Sequence, residues 1–142
     1  MKTIKDLLSN KGQEVWSVGP DATVYEAIEL MADKGVGALM VMDDERPAGI
    51  ISERDYARKV ILVGRSSKDT LVREIMTSRL IHTSPDRSVE ECMTLMTTNK
   101  IRHLPVMEAD QLVGIVSIGD LVKATISDQQ STIEQLERYI NS

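Results

Sequence analysis

The chain has 142 residues, a formal net charge of −5, 42% hydrophobic and 27% charged residues, one Cys, one Trp and no Phe. This suits one ordinary soluble domain or two small halves. It excludes an internal disulfide and argues against nucleic-acid binding through phosphate neutralisation or aromatic stacking.

Ile4–Leu8 reads as a short lead-in helix. Val15–Val18 is β-rich and ends in a Pro20-Asp21 turn. Thr23 with Glu26 fits a capping box, in which a hydroxyl and a carboxylate three residues on satisfy free amides at a helix start. The helix runs to about Lys34, with Val24, Ala27, Ile28 and Met31 on one face. Two short apolar strands follow, Ala38–Met42 and Ala48–Ile51, joined by a polar turn. Gly49 inside the second predicts a bulge or close backbone approach. A helix starts near Ser52, with a tail from Tyr56 to about Val63 and a stop at Gly64.

The same order then recurs. Residues 81–120 fall on residues 16–55 without a gap at an offset of 65 positions. Val72–Met76 is the second lead-in, Leu80–Thr83 the β-rich stretch, and Ser88 with Glu91 the capping box. A helix to about Asn99 precedes strands Leu104–Met107 and Leu112–Val116, with Gly114 in the place of Gly49. The last helix opens at Ser117 and can continue through residues 121–142, where Ile133, Leu136 and Ile140 form an apolar stripe suited to packing on its own domain or, the favoured reading, on a twin subunit. The small residue Cys92 lies on an apolar helix face and is expected to be a buried, unreactive thiol. An ungapped duplication predicts two copies of one supersecondary unit and a groove between them.

Chemistry concentrates where the later strand of each copy meets its second helix. Ser52 with Asp55, and Ser117 with Asp120, sit at helix starts, where free amides suit a phosphate and a carboxylate suits a ribose diol. The same spacing is also a helix cap, so both readings stand. Six basic residues between Arg54 and Arg73 offer an anion site or a solvated helix face. Only His82 and His103 are present, with no ligand-spaced partner, phosphate loop or nucleophile elbow. No enzyme activity, metal site or catalytic cofactor is therefore expected.

Gly-Ile-Ile-Ser-x-x-Asp at 49–55 and Gly-Ile-Val-Ser-x-x-Asp at 114–120 carry a resemblance, together with Arg102–Val106 and Val72–Thr77. The chain resembles a tandem pair of CBS domains, the regulatory modules named after cystathionine β-synthase, often called a Bateman module. The stretch from Glu53 to Val60 and from Gly64 to Ser67 is similar to stand-alone pairs of bacteria and plant organelles. The resemblance implies an α/β (α+β) fold of two pseudo-two-fold-related β-α-β-β-α units packed sheet to sheet. It implies domains at 1–66 and 67–128 with a helical tail at 129–142. It also implies a cleft for an adenosine compound: AMP first, then NAD(H), ATP and S-adenosylmethionine.

In the cleft favoured on this resemblance Ile81 and Pro105 are expected to flank adenine, Asp120 to hold ribose, and Ser117 with arginines to hold phosphate, with Thr77, His103 and Ile118 beside them. Arg102 contributes charge from the same copy; Arg54 and Arg65, with Ser52 and Asp55, belong to the other. The expected role is sensing an adenosine nucleotide and signalling in trans to a separate regulated protein, as a homodimer. A ligand-free dimerisation adapter is the alternative. No apolar run suits a membrane span and no signal peptide follows Met1, so the expected compartment is the cytoplasm.

Overall fold

The computed structural model describes residues 2–12 and 14–141; Met1, Gln13 and Ser142 lie outside them. In chain order the elements are α1 (Ile4–Lys11), β1 (Ser17–Val18), α2 (Val24–Lys34), β2 (Ala38–Asp43), β3 (Arg46–Ser52), α3 (Glu53–Tyr56), a π-helical turn (Ala57–Ile61), α4 (Val72–Ile75), α5 (Val89–Asn99), β4 (His103–Glu108), β5 (Gln111–Ser117) and α6 (Ile118–Asn141). The chain is α/β, and its contacts divide it into two compact units. One is Val15–Leu80; the other joins Met1–Glu14 to Ile81–Ser142.

The continuous unit holds a sheet in the order β1-β2-β3, with β1 parallel and β3 antiparallel to β2. Thr23 caps α2 by accepting from the Glu26 amide at 3.1 Å. The return arm of the expected capping box is not formed; Thr23 also bridges Leu71. Val24, Ala27 and Met31 pack against Leu39, Val41 and Ile51 of the sheet, and against Val60, Val72 and Ile75. The helix after Ser52 is looser than expected. One α turn gives way to the π turn, which closes at Gly64 with φ 73°.

The discontinuous unit repeats the plan. Ser88 and Glu91 complete the capping box of α5. Val89, Cys92 and Met96 face Leu104, Val106, Val116 and Leu121, and Ile4, Leu7 and Leu8 of α1 close the core. Cys92 is buried, and burial pushes its thiol pKa upward, as its place in the pattern predicts. Its sulfur lies 3.2 Å from Thr83 Oγ1.

The expected strand at Leu80–Thr83 shrinks to one bridge, Thr83 with Val106. Proline explains the difference. In the first repeat the Met40 amide donates to the Trp16 carbonyl at 3.2 Å. The corresponding residue in the second repeat is Pro105, which has no amide hydrogen. The bonds of Thr83 N to Pro105 O and Met107 N to Thr83 O, at 3.0 and 2.8 Å, survive.

Each lead-in helix packs in the unit of the other repeat. The α1 segment is tied to residues 85–89 through Ile4 N to Arg87 O, Lys5 N to Pro85 O and Val89 N to Lys2 O, all 2.9–3.0 Å. The α4 segment is tied to the first repeat through Val24 N to Thr70 O and Val72 N to Ala22 O, both 2.8 Å. Along the sequence α1 leads the first repeat and α4 the second; grouped by contact, they change places.

The interior glycines make room for this exchange. A Cβ on Gly114 would stand 2.9 Å from Leu8 Cδ2, and one on Gly49 2.8 Å from both Met76 Sδ and Thr77 O. Each glycine also sits beside a register shift in its hairpin, so the bulge and the close approach occur together.

Candidate functional site at the strand-to-helix junctions

Both Ser-x-x-Asp segments adopt the same local structure. The last residue of the later strand is the serine, and its hydroxyl accepts the amide three residues on: Asp55 N at 3.1 Å and Asp120 N at 3.1 Å. The carboxylates return the bond. Asp55 Oδ2 accepts Ser52 N at 3.0 Å, and Asp120 Oδ2 accepts Ser117 N at 2.8 Å. A carbonyl from the start of the preceding strand completes each junction: Gly37 O accepts Glu53 N at 3.0 Å, and Arg102 O accepts Ile118 N at 2.9 Å. The capping reading of this spacing is therefore realised in both copies.

The copies differ in how far the carboxylate is consumed. Asp55 Oδ2 also accepts Ser52 Oγ at 3.1 Å, and its Oδ1 pairs with Lys59 at 3.2 Å. Lys59 in turn donates to Ile75 O at 2.9 Å, so this group is saturated within its own unit. Every contact described for Asp120 falls on Oδ2, including Lys11 Nζ at 3.0 Å. Lys11 is a residue that sequence reasoning missed. It lies over one hundred positions from Asp120, and no local pattern links them.

His103 pairs with Ser117 across the β4–β5 ladder, which places it next to Asp120. Burial lowers the His103 pKa; the negative Asp120 opposes this, and Lys11 and Arg102 add to it. Burial also pulls Asp120 upward, but the Ser117 amide and the Lys11 ammonium outweigh it and hold the carboxyl below its usual range. His103 is thus biased towards the neutral ring and Asp120 towards the anion.

The discontinuous unit brings Arg102, His103, Ser117, Ile118 and Asp120 to one end of its hairpin. Ile81 and Ile118 each pack part of their surface on the unit's core. Pro105 is buried. The continuous unit carries Ser52, Arg54 and Asp55 at its own junction. Arg65 there is held by Glu74 at 2.6 Å. Thr77 is exposed and bonds backbone to backbone with Ile50, at 2.9 and 3.0 Å.

Asp120 is not sealed. It borders an open cavity of about 330 Å³ between α1 and α6, with Lys2, Lys11, Asn10, Lys123 and Ser127 on its walls. Three ammonium groups and one carboxylate make this wall predominantly cationic. A larger groove of about 650 Å³ along α5, past His82, Arg87, Cys92, Leu95 and Met107, touches none of the expected binding residues.

Known proteins share this fold. The chain is 43% identical over 148 residues to the mitochondrial CBS domain-containing protein CBSX3 of Arabidopsis thaliana, covering 97% of this chain and 71% of the relative. A putative signal-transduction protein with CBS domains from Burkholderia ambifaria is 50% identical, with a TM-score of 0.87 over 90% of this chain and 96% of that one. A CBS domain pair solved with 5′-methylthioadenosine and S-adenosyl-L-methionine has a TM-score of 0.79 over 90% of this chain and 98% of that chain, at 22% identity; that likeness is one of fold. The CBS domain family model matches residues 4–62 and 72–127. Repeat, fold and matched segments agree: the chain belongs to the CBS domain family and carries two copies of that domain.

Proposed function

We propose that this CBS pair is a regulatory module that binds an adenosine-containing ligand at the Ser117–Asp120 junction and passes its state to a separate protein. The observation that carries the reading is Asp120 itself. Its carboxylate is anionic, half-buried and beside an opening, and its described contacts leave Oδ1 for a ligand. A carboxylate oxygen of this kind accepts from the vicinal hydroxyls of ribose. Lys11, Lys123 and Arg102 supply positive charge for a phosphate, and neutral His103 can donate or accept at the same end.

AMP is the first candidate, followed by NAD(H), ATP and S-adenosylmethionine. Ile81 and Pro105 are assigned to the adenine, Thr77 and Ile118 to its edges. Ser52, Asp55, Arg54 and Arg65 are assigned a secondary role, because Asp55 and Arg65 are already engaged within their unit. The fold-level neighbour with two adenosine compounds supports the ligand class. The ligand acts by favouring one of two arrangements of the module, which requires unequal affinity for them. Catalysis is no part of this reading, and the cytoplasm is the compartment we assign.

The reciprocal caps favour a second reading, a ligand-free adapter, since they satisfy Ser117 and much of Asp120 without any ligand. A melting panel with AMP, ATP, NADH and S-adenosylmethionine separates the two. A binding ligand at one hundred times its Kd adds about 2.7 kcal/mol of stability. Asp120→Ala should then weaken that ligand by about 1–3 kcal/mol in titration calorimetry. Four flat melting curves would leave the adapter standing.

A further inference from the structure

We propose that α6 is a self-association element: its exposed stripe pairs with α6 of a second copy, antiparallel and centred near Gln130. The helix has two distinct faces. Leu121 is buried, Thr125 Oγ1 contacts Met93 Sδ at 3.5 Å, and Asp128 meets Lys2 at 3.4 Å, so this face serves the helix's own unit. Val122, Ile126, Ile133, Leu136 and Ile140 are 40% to 77% exposed. At about 100° per residue they line up roughly a quarter-turn away from the inner face. Val122 and Ile126 stay open even where the helix is packed on its unit. A partner can therefore cover the stripe without displacing anything.

The stripe has the period of a helix pair, not of a surface helix. Ile126, Ile133 and Ile140 recur every seven residues, and Val122, Gln129 and Leu136 recur every seven between them. Seam residues alternating three and four apart are the spacing by which two helices pack side by side in a coiled coil. Gln129 is the one polar seam residue. The seam covers roughly 27 Å of helix.

Charge selects the direction. Lys123, Gln130 and Glu137 recur every seven residues along one flank of the seam. In an antiparallel pair centred near Gln130, Lys123 meets the partner's Glu137 twice over. Ile126 then faces the partner's Leu136, and Val122 the partner's Ile140. In a parallel pair the same flank would set Lys123 and Glu137 against residues of the other flank, where no opposite charge stands. Antiparallel helices also align their dipoles favourably.

The test uses the full chain without nucleotide, so its outcome is independent of the binding reading. Sedimentation at tens of micromolar should show a dimer or a multiple of one. Ile133→Glu with Leu136→Glu should halve that mass with helix content unchanged, since both residues are exposed. Lys123→Glu should weaken association about tenfold, and adding Glu137→Lys should restore it. A short bis-maleimide should link Gln130→Cys chains to each other and leave Ile140→Cys chains unlinked, over a low background because Cys92 is 1% exposed. A monomeric wild type, an unchanged mass in the double glutamate variant, or linkage at position 140 instead of 130 would overturn the proposal.

Discussion

Lys11 Nζ lies 3.0 Å from Asp120 Oδ2, tying the last turn of α1 to the first turn of α6. The pair joins the lead-in of the first repeat to the Ser117–Asp120 junction of the second. Replacing Lys11 with Met removes a cation that helps hold the Asp120 carboxyl low. Carboxyl NMR should show its titration midpoint move up, towards the ordinary value of 3.8. A carboxylate whose folded pKa is depressed stabilises above its unfolded value and loses that contribution as pH falls through the folded one. The variant should therefore lose less stability on acidification, with a cost at neutral pH below about 1 kcal/mol for a pair this close to solvent. An unmoved midpoint would show that the lysine contributes nothing in solution.

His103 titrates in the opposite sense. Burial depresses its folded pKa below 6.5. The unfolded chain therefore binds the proton more readily, and stability is lost as pH falls below that value. The slope is steepest between the two midpoints and cannot exceed about 1.4 kcal/mol per pH unit, the value for one proton. Denaturation midpoints measured from pH 8 to 5 should fall for the wild type and flatten for His103→Gln.

The interior glycines should differ in what they tolerate. Gly114→Ala drives a methyl against the tip of Leu8, which can turn aside. Gly49→Ala drives it against the Thr77 carbonyl as well as Met76 Sδ, and a backbone carbonyl cannot turn aside. Overpacking costs about 1–3 kcal/mol. Gly49→Ala should lie at or above the top of that range and Gly114→Ala near the bottom, by urea denaturation. The reverse order would contradict the placement of the lead-in segments.

Leu8 is 1% exposed and packs with the second repeat. Leu8→Ala should cost about 2–5 kcal/mol. Hydrogen exchange should rise in β4 and β5 more than in β2 and β3. The opposite distribution would return α1 to its own repeat.

Much of this fold can be read from the residues. The ungapped offset locates both copies, and Ser88 with Glu91 foretells the α5 cap. Gly49 and Gly114 announce the bulge and the close approach together. What escapes is long-range. Val72–Met76 resembles Ile4–Leu8, but likeness does not say which core each one fills. Lys11 meets Asp120 only after that choice is made. The lost strand at Leu80–Thr83 was within reach, since Pro105 stands in the sequence where Met40 donates its amide. Composition shows the β-rich stretch; only the cross-strand register shows which amide is missing.

The exchange of lead-in helices sets an order of events at the ribosome. Residues 15–80 contain every part of their own core and can close as soon as they emerge. Ile4, Leu7 and Leu8 leave the tunnel before them, yet their seat is built from strands and helices made last. While residues 15–80 are being made, these three aliphatic side chains have nowhere to go. That stretch of the nascent chain is thus the one most in need of chaperone cover.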